Sequence, residues 1–247
     1  MMSKLVERLG KKSSKIMSKS DYIRESLNRS KSLNHHSLFG SRIPVHIKDE
    51  LIFTDDKSTL QDVIQIVQNS LPYFLVSNVD VIYVGDFSFF QERNTNAAYE
   101  EGAIYVINVQ NNAADMADDI VHEIAHSVEE KYYEQIYGDG RVEQEFLGKR
   151  NKLYQILKAY EEPLMDFIYF QNPDYNEDFD EYLYTQVGYP ALSAYANGLF
   201  YSPYASTSIR EYFARGFEAY FLHKDLKTLA NVSPILYNRI ETLADME

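Results

Sequence analysis

Residues 121–126 read Val-His-Glu-Ile-Ala-His and match the pattern H-E-x-x-H. On a helix, residues four apart lie on one face about one turn from each other, so His122 and His126 can direct their imidazole rings at one metal ion. Glu123 is then placed to reach a water on that ion and to accept its proton. With 6 histidines in 247 residues, about one chain in a hundred of this composition would contain the pattern by chance. The alternative is a surface helix that carries two solvated histidines.

The sequence around the motif predicts a long amphipathic helix preceded by a strand. The helix is expected from about residue 113 to 137, where two glycines end it. The run Ala103–Val109 gives the strongest strand signal in the chain, and we expect an extended peptide to pair with it as an edge strand. The apolar stripe of the helix lies beside the histidines and consists of Ala117, Ile120, Val121, Ile124 and Val128.

The other predicted elements place strands early in the chain and helices late. Strands are expected at Ile43–Ile47 and Val79–Val84, while Gln91–Ala97 is polar and typical of a loop. This order predicts an α+β fold, with a small N-terminal sheet followed by a mostly helical C-terminal part, rather than alternating βαβ units. The predicted helices are Ser58–Ser70, Val142–Tyr160, Glu162–Phe170, Ser206–Leu222 and Ser233–Ala244.

A catalytic zinc site needs three protein ligands, and the chain has no cysteine to supply one. The longer pattern H-E-x-x-H-x-x-G-x-x-H is absent, because Glu129 and Tyr132 stand where the glycine and the third histidine would be. A distant glutamate is therefore the natural third ligand. The helix expected over 206–222 offers Glu211 and Glu218, which are seven residues apart and share a face. Periodicity does not choose between them.

Two segments together resemble a known family. The run His-Glu-Ile-Ala-His-Ser-Val-Glu-Glu at 122–130 is followed by Tyr204, and seven residues later by Glu211-Tyr-Phe-Ala-Arg-Gly-Phe217. This combination resembles the protease domain of anthrax lethal factor and its relatives, which include the small clostridial Pro-Pro endopeptidases. The resemblance covers roughly Val79–Leu222, in pieces.

The resemblance implies a zincin-like fold and the activity of a zinc-dependent endopeptidase of the gluzincin type. It implies one Zn²⁺ per chain, held by His122, His126 and Glu211, and so selects Glu211 over Glu218. Glu123 is the implied general base. Tyr204 is the implied donor of a hydrogen bond to the tetrahedral oxyanion.

Two further glutamates flank these positions. Glu129 is seven residues after His122 and three after His126, so it is either an orienting partner for a ligand imidazole or a solvated carboxylate. For Glu218, once Glu211 is taken as the ligand, we expect a solvated or salt-bridged side chain.

The charge pattern divides the chain into a basic arm, expected over residues 1–42, and a catalytic domain over 43–247. Residues 1–48 carry an excess of 8 positive charges and residues 49–247 an excess of 21 negative charges. The acidic body is not expected to bind nucleic acid, because phosphate contacts need clustered Lys and Arg. The arm is suited to docking an acidic partner or the acidic body itself.

About 80 residues separate His126 from Tyr204, more than we expect for compact members of the family, so we interpret residues 141–199 as an insertion. It is a candidate lid, specificity wall or partner-docking surface. No apolar run approaches the ~18 residues of a membrane span, and the first residues lack the apolar core of a secretory signal. We therefore expect a cytoplasmic protein or one delivered by a non-signal route.

Three functional hypotheses follow from the sequence. The first is a zinc endopeptidase that acts on peptide or protein substrates. The second is a catalytically inactive protein that keeps the fold for a structural or docking role, for example in a virion or a secreted particle. The intact Glu123 argues against it, since such a protein has no use for the base. The third is a peptidase specific for one partner, such as a toxin, which would ignore general peptide libraries.

Overall fold

The computed structural model describes residues 36–246 except 94, 161, 163 and 196. The strands within this part form a mixed five-stranded sheet in the order β1-β2-β4-β6-β5 and a small pair, β3 with β7. Their bounds are β1 His36–Leu38, β2 Ile43–Ile47, β3 Ile52–Phe53, β4 Val81–Val84, β5 Ala97–Glu100, β6 Ala103–Val106 and β7 Val109–Gln110.

The helices are concentrated in the second half of the described residues. The structure thus confirms the α+β class, with a small sheet first and a mostly helical part after it. A π-helix at Tyr182–Val187 and a 3₁₀ turn at Tyr204–Ser206 complete the set. The α-helices are α1 Leu60–Ser70, α2 Tyr73–Val76, α3 Ser88–Arg93, α4 Ala113–Lys131, α5 Tyr133–Tyr137, α6 Arg141–Ala159, α7 Phe167–Phe170, α8 Glu177–Glu181, α9 Tyr189–Tyr195, α10 Ile209–Phe221, α11 Leu226–Val232 and α12 Pro234–Ala244.

The first half contains one βαβ unit, within a chain for which the sequence predicts segregated strands and helices rather than alternating βαβ units. β2 runs parallel to β4, and α1 connects them on one face of the sheet. β4 in turn runs parallel to β6, so the centre of the sheet is parallel while its two edges are antiparallel. α1 buries its apolar face against the long helix α4, since residues 60, 63, 64 and 67 are all buried. The connection from β2 to β4 contains α1 and α2, which supply the length that a crossover between parallel strands needs.

The predicted edge strand is also wrong. β6 takes the first part of the run 103–109 and lies between β4 and β5, while β7 pairs with β3 elsewhere. The edges of the sheet are β1 and β5, and β5 begins at Ala97, the last residue of the predicted loop. β5 and β6 form a hairpin whose two-residue turn, Glu101-Gly102, has positive φ angles of 46° and 84°. Such a turn suits glycine at its second position, and a Cβ at Gly102 would also lie 2.8 Å from Asp80 Oδ2.

Several boundaries differ from those expected. Residues 36–38, which we had assigned to the arm, form β1 and bury Leu38 in the core, so the folded body begins by His36. Residues 1–35 of the arm lie outside the described residues. α4 ends at Lys131, because Tyr132 leaves helical geometry with φ −112° and ψ 25°. The helix expected over 162–170 is reduced to α7.

The helical half packs α10 between α4 and the C-terminal helix α12. Gly216 of α10 permits this close approach, since a Cβ there would lie 2.5 Å from Leu236 Cδ2. Phe213 and Phe217, on the same helix, are fully buried. None of the described helices has the length and apolarity needed to cross a bilayer.

Candidate metal centre

The candidate centre lies where α4 and α10 pack against each other. Each helix is fixed at its start by a side chain that accepts backbone N–H groups. The Asn112 carboxamide accepts from Ala114 and Asp115, and the Ser208 hydroxyl accepts from Glu211. Ser208 thus precedes the first residue of α10, two residues after the expected start of the helix at Ser206. The cap therefore fixes the first turn of α10, and with it the backbone of the candidate third ligand.

His122, His126 and Glu211 converge as the sequence analysis expected. One ligand atom from each lies within 4.8 Å of the others. Glu211 Oε2 is 3.1 Å from His122 Nε2, and Oε1 is 3.5 Å from His126 Nε2. The two imidazole rings are 4.9 Å apart and nearly perpendicular, at 85°. Two imidazole nitrogens and one carboxylate thus point into one small volume.

The chemistry of this group fits a divalent metal ion. Two imidazoles and a carboxylate, with no thiolate, form a donor set that zinc accepts. Glu211 Oε2 is buried and has no hydrogen-bond partner of suitable geometry among the described residues. It lies 3.1 Å from His122 Nε2, and a bound cation would satisfy it fully. The buried His/Glu group can therefore bind a metal ion.

The Nδ1 atom of His122 is held by Glu218, at 2.5 Å from Oε1. Of the two expectations for Glu218, a solvated or a salt-bridged side chain, the structure has the second, since Glu218 is only 1% exposed and pairs with Arg215. Its other oxygen accepts from Arg215 Nη1 at 2.8 Å. The face shared by Glu211 and Glu218 on α10 thus contacts both nitrogens of one imidazole ring. A carboxylate at the far nitrogen fixes the tautomer and the orientation of a ligand histidine.

His126 has a similar partner on its own helix. Glu129 Oε2 lies 3.5 Å from His126 Nδ1, which is the orienting position that the spacing allowed. Glu129 is buried and is held in turn by the Tyr137 hydroxyl at 2.6 Å and by Arg210 Nε at 2.9 Å. Tyr137 and Arg210 had not been singled out from the sequence. Each candidate histidine ligand therefore carries a carboxylate on its far nitrogen.

Electrostatics in this cluster favour a bound cation. Burial lowers the pKa of His122, but Glu211 and Glu218 overcome it and raise that pKa to about 10. Burial raises the pKa of Glu211, yet the two histidines hold it well below its usual range. The negative charge of Glu211 and Glu218 that keeps a proton on His122 would also attract a divalent cation.

Glu123 follows His122 on α4, is 7% exposed, and lies near enough to the three side chains for their charges to affect its carboxyl group. Burial raises the pKa of its carboxyl group, while the nearby His126 and His122 lower it. The backbone of Tyr99 on the edge strand β5 lies close enough to contribute as well. A carboxyl group with a raised pKa beside a candidate metal site is suited to accept a proton.

Tyr204 lies in the 3₁₀ turn just before α10. Its ring is 6.5 Å from that of Tyr189 and 5.4 Å from the Arg215 guanidinium carbon. Burial raises the pKa of Tyr204 far above its usual value, and the charges of Glu211 and Asp180 add to this. The phenol therefore keeps its proton over the physiological range and can act as a hydrogen-bond donor close to the Glu211 carboxylate.

Comparisons with family models, with curated proteins and with solved structures find no match for this chain.

A second cluster, Asp118 with Glu218 and His223, also brings three potential ligand atoms within 4.8 Å of one another. Arg215 Nη1 already lies 2.8 Å from Glu218 and 3.7 Å from Asp118. His223 Nε2 is 3.2 Å from Asp118 Oδ1. The negative charge of this cluster is thus balanced by a guanidinium group, and the cluster is better described as the surroundings of His122 than as a separate metal site.

A cleft of about 610 Å³ runs along α4 on the N-terminal side of His122. Asp115, Asp118 and Asp119 line it, together with Gln110 and His223. Asp119 accepts a hydrogen bond from Gln110 Nε2 at 3.0 Å. Burial raises the pKa of Asp119 to about 6, partly opposed by that hydrogen bond. The cleft is therefore polar and acidic where it approaches the metal centre.

We expect Asp119→Asn to stabilise the metal-free protein at pH 7. The folded-state pKa of about 6 lies above the ordinary aspartate pKa of 3.8, so the folded state holds this proton more tightly than the unfolded state. The cost of ionisation is absent below the unfolded pKa, grows as the pH rises through 6 and is constant above it. Asparagine removes this cost, so a gain of about 1–2 kcal/mol at pH 7 should vanish near pH 4.

Urea unfolding in excess EDTA at both pH values measures this gain. The exposed Asp86→Asn serves as the matched control and should change stability at neither pH. An equal gain from Asp119→Asn at the two pH values would contradict an electrostatic origin.

Proposed function

We propose that the protein is a zinc-dependent endopeptidase, with His122, His126 and Glu211 as the metal ligands. The observation that carries the proposal is the convergence of these three side chains from two helices, with the buried Glu123 beside them. An H-E-x-x-H helix alone can be a coincidence of sequence. A glutamate that arrives from 85 residues further along the chain to complete the ligand set is difficult to explain in another way.

The roles of the residues follow from their placement. Bound zinc would polarise the scissile carbonyl and make water a nucleophile at neutral pH. Glu123 would accept the proton of the attacking water and later give it to the leaving amine. Tyr204 would donate a hydrogen bond to the carbonyl oxygen as it gains charge. Glu218 and Glu129 would hold the two imidazoles in the ligating tautomer.

We also propose a zincin-like fold of the lethal-factor type. The mixed sheet, the H-E-x-x-H helix beneath it and the later glutamate helix support this. In this arrangement the free edge of β5 offers backbone groups to an extended peptide, and the Tyr99 backbone lies next to Glu123. β5 thus replaces the run 103–109 as the strand to which a substrate would add.

The insertion would form one wall of the substrate site. Its Asp180 and Tyr189 lie close enough to the centre for the charge of Glu211 to raise the pKa of both side chains, after burial. Tyr189 also contacts the ring of Tyr204. A wall placed here would limit which side chains can approach the metal, so the insertion is a candidate determinant of specificity.

The first test is the metal content of the purified protein beside Glu211→Ala. We expect about one zinc per chain in the wild type. The variant should lose more affinity than the about 10–100-fold that is typical when only a partner of a ligand is removed. Elemental analysis and competition with a chelator measure both quantities, and Glu143→Ala, at an exposed position on α6, is the control.

Absence of zinc from the wild type, even after incubation with the metal, would overturn the proposal. Zinc bound equally well by Glu211→Ala would overturn the third ligand. Zinc binding with no cleavage in broad peptide libraries would favour the inactive or partner-specific alternatives.

A further inference from the structure

Arg215 lies one helical turn after Glu211 on α10 and contacts both sides of the candidate centre. Its Nη1 donates to Glu218 Oε2 at 2.8 Å, and Glu218 Oε1 is 2.5 Å from His122 Nδ1. Its guanidinium carbon is 5.4 Å from the centre of the Tyr204 ring. One side chain thus touches the partner of a metal ligand and the candidate oxyanion donor.

The contact with Glu218 matters because this carboxylate is 1% exposed. A buried carboxylate that loses its ion-pair partner is strongly destabilised, so it moves to another position or becomes protonated. Among the described residues, Arg215 is the one Lys or Arg side chain in an ion pair with Glu218. Without Arg215, Glu218 would have only the His122 ring to hold it in place.

The contact with Tyr204 fixes an aromatic ring that comes from a short turn rather than from a long helix. A guanidinium group about 5–6 Å from a ring centroid is attracted to the π face, with a larger effect where water is excluded. The Tyr189 ring meets Tyr204 at 6.5 Å and 69°, so Tyr204 is held by a second aromatic contact as well. Arg215 therefore restricts where the Tyr204 hydroxyl can point.

We propose that Arg215 is a positioning residue that sets the His122 imidazole through Glu218 and the Tyr204 phenol through its own guanidinium face. The proposal rests on the proposed function, because it assigns roles around the same centre. Arg215 would touch neither the metal nor the substrate, and its effects would pass through these two side chains.

Arg210 provides a matched comparison on the same helix. It also pairs with the carboxylate partner of a candidate ligand, since its Nε is 2.9 Å from Glu129 Oε2. Its side chain is 57% exposed, against 28% for Arg215. Glu129 also keeps the Tyr137 hydroxyl as a second donor. Exposed ion pairs contribute little, so Arg210 should matter much less.

The experiment compares Arg215→Gln with Arg210→Gln in zinc affinity, by chelator competition, and in peptide cleavage at saturating zinc. We expect Arg215→Gln to weaken zinc binding by about 10-fold or more. It should also lower kcat by about 10-fold with little change in KM, since Tyr204 acts in the transition state. Arg210→Gln should lose less zinc affinity and less kcat than Arg215→Gln, because Arg210 is more exposed and Glu129 keeps the Tyr137 hydroxyl as a donor.

Two double variants test whether Arg215 acts through the named side chains. In a Glu218→Gln background, Arg215→Gln should cause little further loss of zinc affinity; in a Tyr204→Phe background, it should cause little further loss of kcat. Losses that simply add in both backgrounds would overturn the proposal. So would an Arg215→Gln protein that matches Arg210→Gln in zinc affinity and in kcat.

If Arg215→Gln does not fold, Arg215→Lys decides the question. It keeps a charge for Glu218 but not the planar group over Tyr204, so zinc affinity should be retained while kcat falls. A wild-type kcat in Arg215→Lys would overturn the Tyr204 half of the proposal. A wild type that binds no zinc would instead remove the proposed function itself, so the two failures are distinguishable.

Discussion

Glu123→Gln should bind zinc as the wild type does and lose peptide cleavage by about 10²–10⁴-fold. Glutamine has nearly the size and shape of glutamate but cannot accept a proton at neutral pH. Glu123 is 7% exposed and lies beside both candidate histidine ligands without being one of them. The substitution should therefore remove a single step of the chemistry and leave the metal group intact.

The measurement is zinc content together with cleavage of a peptide library by mass spectrometry. Glu130→Gln, an exposed position on the same helix, is the control and should retain full activity. Retained cleavage in Glu123→Gln would show that another group is the base. Loss of zinc along with cleavage would show that Glu123 supports the metal group and that its role in proton transfer has not been isolated.

The parts of the fold that sequence predicted well are those with strong local signals. α4 and α10 combine helical spacing with caps at Asn112 and Ser208, and both begin where those caps place them. β2 coincides with its predicted bounds. Local propensity and tertiary packing agree in these segments, and neither had to override the other.

The edge strand shows where such signals end. The residues of β5, Ala97-Ala98-Tyr99-Glu100, are short of β-branched side chains, so no alternation marks them. The strand forms because a tight turn at Glu101-Gly102 brings β6 back alongside it, and the two strands pair. The sequence signal for this turn is Gly102, because glycine readily adopts the positive φ angle that a two-residue hairpin turn requires. The β2–α1–β4 crossover is harder still to predict from sequence, because the pairing of β2 with β4 depends on residues that are far apart in the chain.

The candidate site likewise contains residues that the sequence pattern identifies and residues that it does not. His122 and His126 share a helix face that spacing alone defines, and Glu211 required the resemblance to separate it from Glu218. The shared face in fact places both glutamates against His122, on opposite nitrogens. Spacing carried that information, but it could not show that α10 packs closely enough on α4 for both contacts. The role proposed for Arg215 depends on this packing and on the position of Tyr204 in a separate turn. No sequence pattern predicts it.

Arg150→Met should destabilise the protein more than any other single substitution considered above. Arg150 is 1% exposed and makes no ion pair with any of the described carboxylates. Its guanidinium donates instead to four backbone carbonyls. Nε donates to Ser206 at 2.9 Å and Nη2 to Thr207 at 2.6 Å, while Nη1 donates to Tyr169 and Asn172. Burial lowers the pKa of Arg150 to about 9.

Methionine fills much of the same space between Phe146 and Phe179 but donates no hydrogen bond. Four carbonyl groups would lose a charged donor, at about 1–3 kcal/mol for each one left buried and unpaired. Partial relaxation reduces this to a net loss of about 3–5 kcal/mol, which is a large share of the about 5–15 kcal/mol that stabilises an ordinary domain. The thermal midpoint should fall by about 10 °C.

Thermal unfolding followed by circular dichroism measures the loss, with Lys152→Met, an exposed position on the same helix, as the control. The loss of these hydrogen bonds should also affect the candidate metal centre. Ser206 and Thr207 directly precede Ser208, whose hydroxyl caps α10 at Glu211, so Arg150 ties α6 of the insertion to the start of the ligand helix. Arg150→Met should therefore weaken zinc binding even below its midpoint of unfolding. A variant as stable as Lys152→Met would contradict this expectation, because the buried carbonyls of Ser206 and Thr207 would then need no donor.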